Sequence, residues 1–372
     1  MLRRVTVNGF KSIKEMDLEL RRMNVLIGAN GAGKSNLISF FKMLNEMMSG
    51  RLQQYISAAG RAQALLHFGP KVTPQIESRV EFADDGVTNI YAIRLIHAAV
   101  DSLFFAEETL QRDDHFVSNA IGLGSGHHET RIDEATNHGQ AFNQQIATAL
   151  KHSLNQCRVF HFNDTSLTAR VRQYCYIGDN RSLLSDAGNL AAFLLRIRDE
   201  NGKAAYNRIV TTIRQIAPFF DDFDLQRNSP SSPNKNDLTL NWRDKGSDQI
   251  FGPHQLSDGT LRAMCLVTLL LQPEDDLPDL IVVDEPELGL HPYALNVIAS
   301  LFKKASHHTQ VLVSTQSTSF LDNFDSDDVI VVDRVGRESQ FTRPDSEKLE
   351  AWLEEYSLGE VWEKNVIGGG PH

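Results

Sequence analysis

Cysteine is nearly missing: Cys157, Cys175 and Cys265 are the only three in 372 residues, and no two stand in a C-x-x-C spacing. That excludes a disulfide framework or a cysteine-built zinc knot and predicts thiols packed into a core in a reducing compartment. Long apolar runs are missing as well. The longest near-continuous stretch, residues 263–271, falls far short of the roughly 20 residues that span a bilayer. The opening MLRRVTVNGF alternates polar and apolar residues where a secretory leader would be apolar. The expectation is a cytoplasmic chain without membrane contact. Net positive charge is also missing. A formal charge of -11 argues against a surface that grips nucleic acid everywhere by counterion release, leaving a local basic groove or one formed in an assembly. No internal repeat and no sustained heptad run is present, which excludes a solenoid or a coiled coil. The hydrophobic share of 41% is enough for a folded core.

What is present alternates between strand and helix periods. Val5, Val7, Met16, Leu18 and Leu20 alternate with polar residues, and residues 23–27 form a run that is apolar but for Asn24 and ends at a glycine, so the chain opens as three strands and a loop. Leu37, Phe40, Phe41, Leu44, Met47 and Met48 then follow at helical spacing. Residues 76–82, 90–96 and 102–110 read as further strands with turns such as Asp84-Asp85-Gly86 between them, a pattern for an antiparallel sheet flanking a parallel one. Residues 112–137 are polar and carry Gly122, Gly124 and Gly126, which predicts a surface loop in which His127-His128 is solvated and not a metal pair. Residues 146–154 and 188–220 read as helical, the Ser/Pro stretch 229–233 as a loop, and residues 280–283, 311–313 and 329–332 as buried strands.

The chemistry is concentrated in short motifs. Gly28-Ala29-Asn30-Gly31-Ala32-Gly33-Lys34-Ser35 matches G-x-x-x-x-G-K-[ST] between an expected strand and an expected helix. Such glycines let backbone N–H groups from Asn30 to Asn36 curl around phosphates, with Lys34 on the terminal phosphates and Ser35 on magnesium. Residues 280–283 end in Asp284-Glu285, which delivers two carboxylates to a strand's C-terminal edge: Asp284 for the metal and Glu285 as general base. Asn234-Lys235-Asn236-Asp237 matches the guanine-reading N-K-x-D string, but it follows a Ser/Pro loop where that string ends a buried strand. ATP is the better ligand. Asp179-Asn180-Arg181 reads as a turn with a solvated arginine, the alternative being a phosphate contact.

The order GANGAGKS, LSDGT, VVDEPELGLHP and VSTQS resembles the ATPase heads of the SMC, RecF and OLD branch of ABC proteins. The resemblance is closest to free-standing bacterial heads and runs to the WEKNVIGG ending. It implies an α/β P-loop NTPase, an ABC-ATPase head with a mostly parallel core sheet, a flanking antiparallel β subdomain and a helical lobe. A single head over 1–372 is expected: core 1–110, 155–185 and 255–372, insertion 111–154, helical lobe and return loop 186–254. The resemblance further implies ATP and Mg2+, and a homodimer in which Ser257 and Gly259 meet the γ-phosphate held by the partner's loop. Residues 287–292 then cross the interface. Two positions depart from the family pattern. Gln316 stands where most such ATPases carry a phosphate-sensing histidine, and an amide cannot carry charge. No glutamine follows the strand at 159–162, where Asn163 is the substitute. The resemblance implies a DNA-related task such as repair or anti-phage defence, DNA as a partner, and a separately encoded effector such as a TOPRIM-type nuclease. The rivals are an ATP-binding regulatory module with little turnover and a transporter motor, which would require the missing glutamine and histidine.

Overall fold

The computed structural model describes residues 1–84, 86–114, 118–138, 140–200, 202–226 and 236–370. Asp85 of the Asp-Asp-Gly turn, the Ser/Pro stretch 229–233 and the Asn234-Lys235 half of the N-K-x-D string lie outside the described residues. Two compact units are present: Met1–Val159 with Pro278–Val282 and Asp325–His372, and Phe160–Leu277 with Val283–Phe324.

The first unit starts with a hairpin of β1 (Leu2–Phe10) and β2 (Ile13–Glu19), registered Val7 to Met16 and Phe10 to Ile13. Val5, Val7, Met16 and Leu18 are buried while Arg3, Arg4, Glu15 and Asp17 are exposed, as a period of two dictates. β3 (Met23–Ile27) is buried along its whole length. It runs into the glycine loop and α1 (Lys34–Met48), whose six expected apolar positions are all buried. Two short helices, α2 (Leu52–Ala58) and α3 (Arg61–Leu65), return the chain to the hairpin, where Lys11 N donates to Leu65 O at 2.7 Å. β4 (Gln75–Asp84), β5 (Val87–Ala98), β6 (Ser102–Asp113) and β7 (Ser118–Gly124) complete an antiparallel sheet ordered β2-β1-β4-β5-β6-β7.

Residues 112–137 depart from the loop expected there, contributing β7 and α4 (Ile132–His138). β7 pairs main chain to main chain with β6 at the rim of the sheet, so its glycines need supply no apolar face. His127 is a second correction. It is buried, stacks on Phe105 at 4.6 Å and hydrogen-bonds Glu108 at 2.8 Å. The Glu108 carboxylate also accepts from Tyr91 Oη at 2.6 Å and Arg131 N at 3.0 Å. A histidine is tolerated at that depth because its partner is buried with it. α5 (Ala141–Asn155) buries Ile146, Leu150 and Leu154 and leads to β8 (Cys157–Phe160).

In the second unit β9 (Cys175–Tyr176) precedes α6 (Leu190–Asp199) and α7 (Lys203–Ile216), the expected helical stretch. The region expected as lobe and return loop also holds strands: β10 (Phe220–Phe223), β11 (Asp237–Leu238), β12 (Trp242–Asp244) and β13 (Ile250–Phe251). β10, β12 and β13 form a small sheet centred on Trp242, which stacks on Phe251 at 4.8 Å. α8 (Asp258–Leu271) is buried from Leu261 to Leu271, so its near-continuous apolar run reflects a core helix. β14 (Leu280–Asp284) passes from the first unit into the second at Val283, and α9 (Pro292–Ala305), β15 (Gln310–Ser314) and the short α10 (Thr318–Leu321) follow.

The chain ends in the first unit with β16 (Val329–Val335), β17 (Glu338–Thr342), α11 (Ser346–Leu353) and α12 (Leu358–Glu363). β16 runs parallel to β3, Val331 opposite Ile27, and antiparallel to β17. Among the described residues, no helix is long and apolar enough to cross a membrane.

Candidate functional site

In the first unit the glycine loop is shaped by close approach. A Cβ on Gly28 would collide with the Val332 carbonyl of β16, and one on Gly33 with the Ser339 hydroxyl of β17. Gly31 and Gly33 also sit at φ 79° and 121°, where a side chain is strained. Lys34 is 5% exposed and its Nζ donates to Ala29 O at 3.3 Å and Gly28 O at 2.5 Å, so the ammonium points back over the loop. Ser339 Oγ donates to Ala32 O at 2.5 Å and lies 2.6 Å from Ser12 Oγ, which accepts from Asn36 at 2.5 Å. Arg334 donates to Gly31 O at 3.2 Å. The start of α1 has no side-chain cap and no acidic residue in its first turn, so its positive dipole end is left to an anion, while Ala32 N and Asn36 N donate to Ala29 O at 3.1 Å and Gly33 O at 3.0 Å. Asn30, Gly31 and Ser35 are exposed, Ala32 and Gly33 buried. The Gly368-Gly369 ending packs behind this loop, with a Cβ built on Gly369 meeting Gly28 Cα at 3.5 Å.

In the second unit Asp284 ends β14 and Glu285 takes φ 47°, a left-handed conformation costly for a non-glycine residue. Its N–H donates to Ser314 O at 2.8 Å. Gln316 Nε2 donates to Glu285 Oε1, and Gln316 N donates to Glu287 Oε1 at 2.9 Å. Thr315 Oγ1 also donates to Glu287 Oε1, at 2.7 Å. Burial pushes the Glu287 carboxyl above its ordinary value; hydrogen bonds from Gln316 and Thr315 oppose this, and neighbouring Glu285 adds to it.

Ser257 caps α8, its exposed hydroxyl accepting from Thr260 N at 3.2 Å. Gly259 has no room for a side chain because a Cβ would collide with Gly289 O. Two buried arginines hold this region. Arg262 donates to Phe162 O at 3.0 Å, Asn163 O at 3.1 Å and Leu288 O, and burial lowers its pKa. Arg172 donates to Thr165 O at 2.8 Å, Pro253 O and Leu256 O, and pairs with Asp258 at 2.8 Å.

A family model described as "AAA domain, putative AbiEii toxin, Type IV TA system" matches residues 23–116 and 162–322. The chain belongs to this AAA-domain family. It is an ATPase of the P-loop class, and its motifs lie within the matched residues. It is also similar to a protein named OLD nuclease from Thermus scotoductus (strain ATCC 700910 / SA-01), 23% identical over 374 aligned residues. That match covers 91% of this chain and 65% of the relative, so the chain spans less than two thirds of the relative's length. Among solved structures, an Smc head bound to the C-winged helix domain of ScpA is similar at TM-score 0.61 and 18% identity, over 93% of this chain and 99% of that one. An Smc head with an extended coiled coil, bound to the C-terminal domain of ScpA from Pyrococcus furiosus, gives 0.57 and 16%, over 95% and 98%. These likenesses show the fold of an α/β P-loop ATPase head, as the motif order implies.

Within this AAA-domain chain the structure joins Glu285 to Gln316, Gly259 to the Gly289 turn, and the Asn163 carbonyl to Arg262. The Asn163 side chain is exposed. Asp179-Asn180-Arg181 is irregular chain that follows the turn at 177–178, held through its carbonyls: Asp179 O accepts from Asn189 at 2.8 Å and Asn180 O from Arg196 at 2.7 Å. Glu287, Arg172 and Arg262 escape the sequence reading as individual residues. Arg262 alone carries a usable signal, a single charge inside an apolar helix, which must find buried partners.

Proposed function

We propose that the chain binds ATP on the loop from Asn30 to Asn36 and hydrolyses it at composite sites of a head-to-tail homodimer, closing with ATP and opening after hydrolysis. The observation that carries this reading is the uncapped start of α1 beneath a glycine loop with Lys34 folded over it, an anion cradle by backbone geometry alone. Lys34 neutralises the terminal phosphates, and Glu285 acts as general base on the attacking water. Ser257 and Gly259 contact the γ-phosphate of the other copy, an assignment supported by the exposed Ser257 hydroxyl at a helix N-terminus. Asn163 stands in for the Q-loop glutamine, and residues 287–292 line the interface.

Magnesium is the cation we propose with ATP, on the chemistry of two residues. The exposed Ser35 hydroxyl and the Asp284 carboxylate are hard oxygen ligands of the kind Mg2+ takes, and they would hold it. Bound there, the ion neutralises phosphate charge.

The cycle serves a DNA-related task such as repair or anti-phage defence, with a separately encoded effector of the TOPRIM-nuclease class; the nuclease name of the similar Thermus protein supports this direction. The neutral Gln316 amide, standing where a histidine could carry charge, favours slow, conditional turnover.

Size exclusion with ATP and magnesium tests the core of the reading. Glu285→Gln should retain ATP and elute as a dimer, and Lys34→Ala should bind no nucleotide and stay a monomer. A monomer peak for Glu285→Gln with ATP bound would refute the shared site.

A further inference from the structure

We infer that Glu287 is a positioning residue for ATP hydrolysis, holding the 315–316 segment so that the Gln316 amide reaches Glu285. Glu287 Oε1 accepts from Thr315 Oγ1 at 2.7 Å and from Gln316 N at 2.9 Å, so one oxygen fixes both the side chain before Gln316 and the backbone of Gln316 itself. Gln316 Nε2 then donates to Glu285 Oε1. The chain of contacts runs from Glu287 through Gln316 to the proposed general base. Thr315 is fully buried, which fixes the origin of its hydroxyl bond.

Glu287 is an expensive residue to place here. Its Oε2 is buried with no hydrogen-bond partner among the described residues, and burial holds its carboxyl above the ordinary range. A buried acceptor left unpaired destabilises the fold. A simple turn-former would avoid that cost, since Leu288 N to Glu285 O at 3.3 Å already closes the turn. Retaining a carboxylate in this place is accounted for by the two donors it orients. Glu287 touches no reacting atom in this scheme; it acts through Gln316.

The inference rests on Glu285 being the base, and the experiment separates the two. Steady-state phosphate release and equilibrium binding of a fluorescent ATP analogue are measured for wild type, Glu285→Gln, Glu287→Ala, Glu287→Gln and Thr315→Val. Glu287→Ala should lower kcat about 10-fold or more with nucleotide Kd within about 2-fold, the split expected when a group acts only on the chemical step. Glu287→Gln keeps an acceptor oxygen and should recover kcat to within about 5-fold of wild type. Thr315→Val should lower kcat with Kd unchanged, and it carries the test if Glu287→Ala does not fold. Wild-type kcat in Glu287→Ala or Thr315→Val, or Glu287→Gln no faster than Glu287→Ala, overturns the inference while a slow Glu285→Gln leaves the base in place. A Glu285→Gln variant as fast as wild type would remove the base and this inference together.

Discussion

The side-chain amide of Gln316 donates a hydrogen bond to the carboxylate of Glu285. The donor belongs to the turn after β15 and the acceptor to the turn after β14, and Glu285 N to Ser314 O at 2.8 Å brings the two turns side by side. A neutral amide orients the carboxylate without adding charge beside it. Gln316→Ala should therefore lower kcat about 10-fold while ATP Kd stays within about 2-fold. Single-turnover hydrolysis reads this directly, and an unchanged rate would show that the carboxylate needs no such partner.

Arg262 donates to three carbonyls from two separate loops, Phe162, Asn163 and Leu288, and is itself buried. Arg262→Ala leaves those acceptors unpaired and should destabilise the second unit by about 3 kcal/mol. Arg262→Lys keeps the charge but loses the planar fork, and should recover only part of that loss. Urea denaturation followed by tryptophan fluorescence measures it; equal midpoints for all three proteins would rule out a bracing role.

Glu287 predicts a pH dependence of stability. Burial raises its carboxyl above the ordinary 4.5, so the folded chain binds that proton more tightly than the unfolded chain. Its contribution is fully present below about pH 4.5 and is lost as pH rises through the raised value. Glu287→Gln has no such proton to lose. Its Tm relative to wild type should therefore climb between about pH 4 and pH 7. Parallel Tm curves across that range would contradict the assignment.

Burial raises the thiols of Cys157 and Cys265, the latter to about 12, and Cys175 is raised less. Only the thiolate attacks an alkylating reagent. At pH 8, iodoacetamide should leave Cys157 and Cys265 unmodified in the native protein, Cys175 should react slowly, and all three should react in denaturant. Mass spectrometry of the digested protein checks this; rapid native modification of Cys265 would mean that α8 opens.

The local patterns in this chain are strong where one residue period decides the outcome. Val5, Val7, Met16 and Leu18 alternate because one face of a hairpin is buried, and Leu37 to Met48 repeat at helical spacing because one face of α1 is. The glycine loop is equally readable, since close approach and positive φ admit few residue types there, and the Asp284-Glu285 end of β14 is readable because two charges break a buried apolar run. The strand β7 is not readable that way. Its pairing is made by main chain that carries no side-chain signature. His127 reads as solvated in the sequence because its partner Glu108 lies 19 residues away on β6, and Glu287, Arg172 and Arg262 gain meaning only from carbonyls and hydroxyls distant in the chain.

The sequence by itself determined the strands and helices that carry a clear residue period, and it set the glycine loop and the Asp284-Glu285 pair at the ends of strands, because those properties depend on neighbours a few residues away. Tertiary structure alone decided which polar groups are buried together. Desolvation penalises each such group separately, and only the folded chain brings it the partner that offsets that cost.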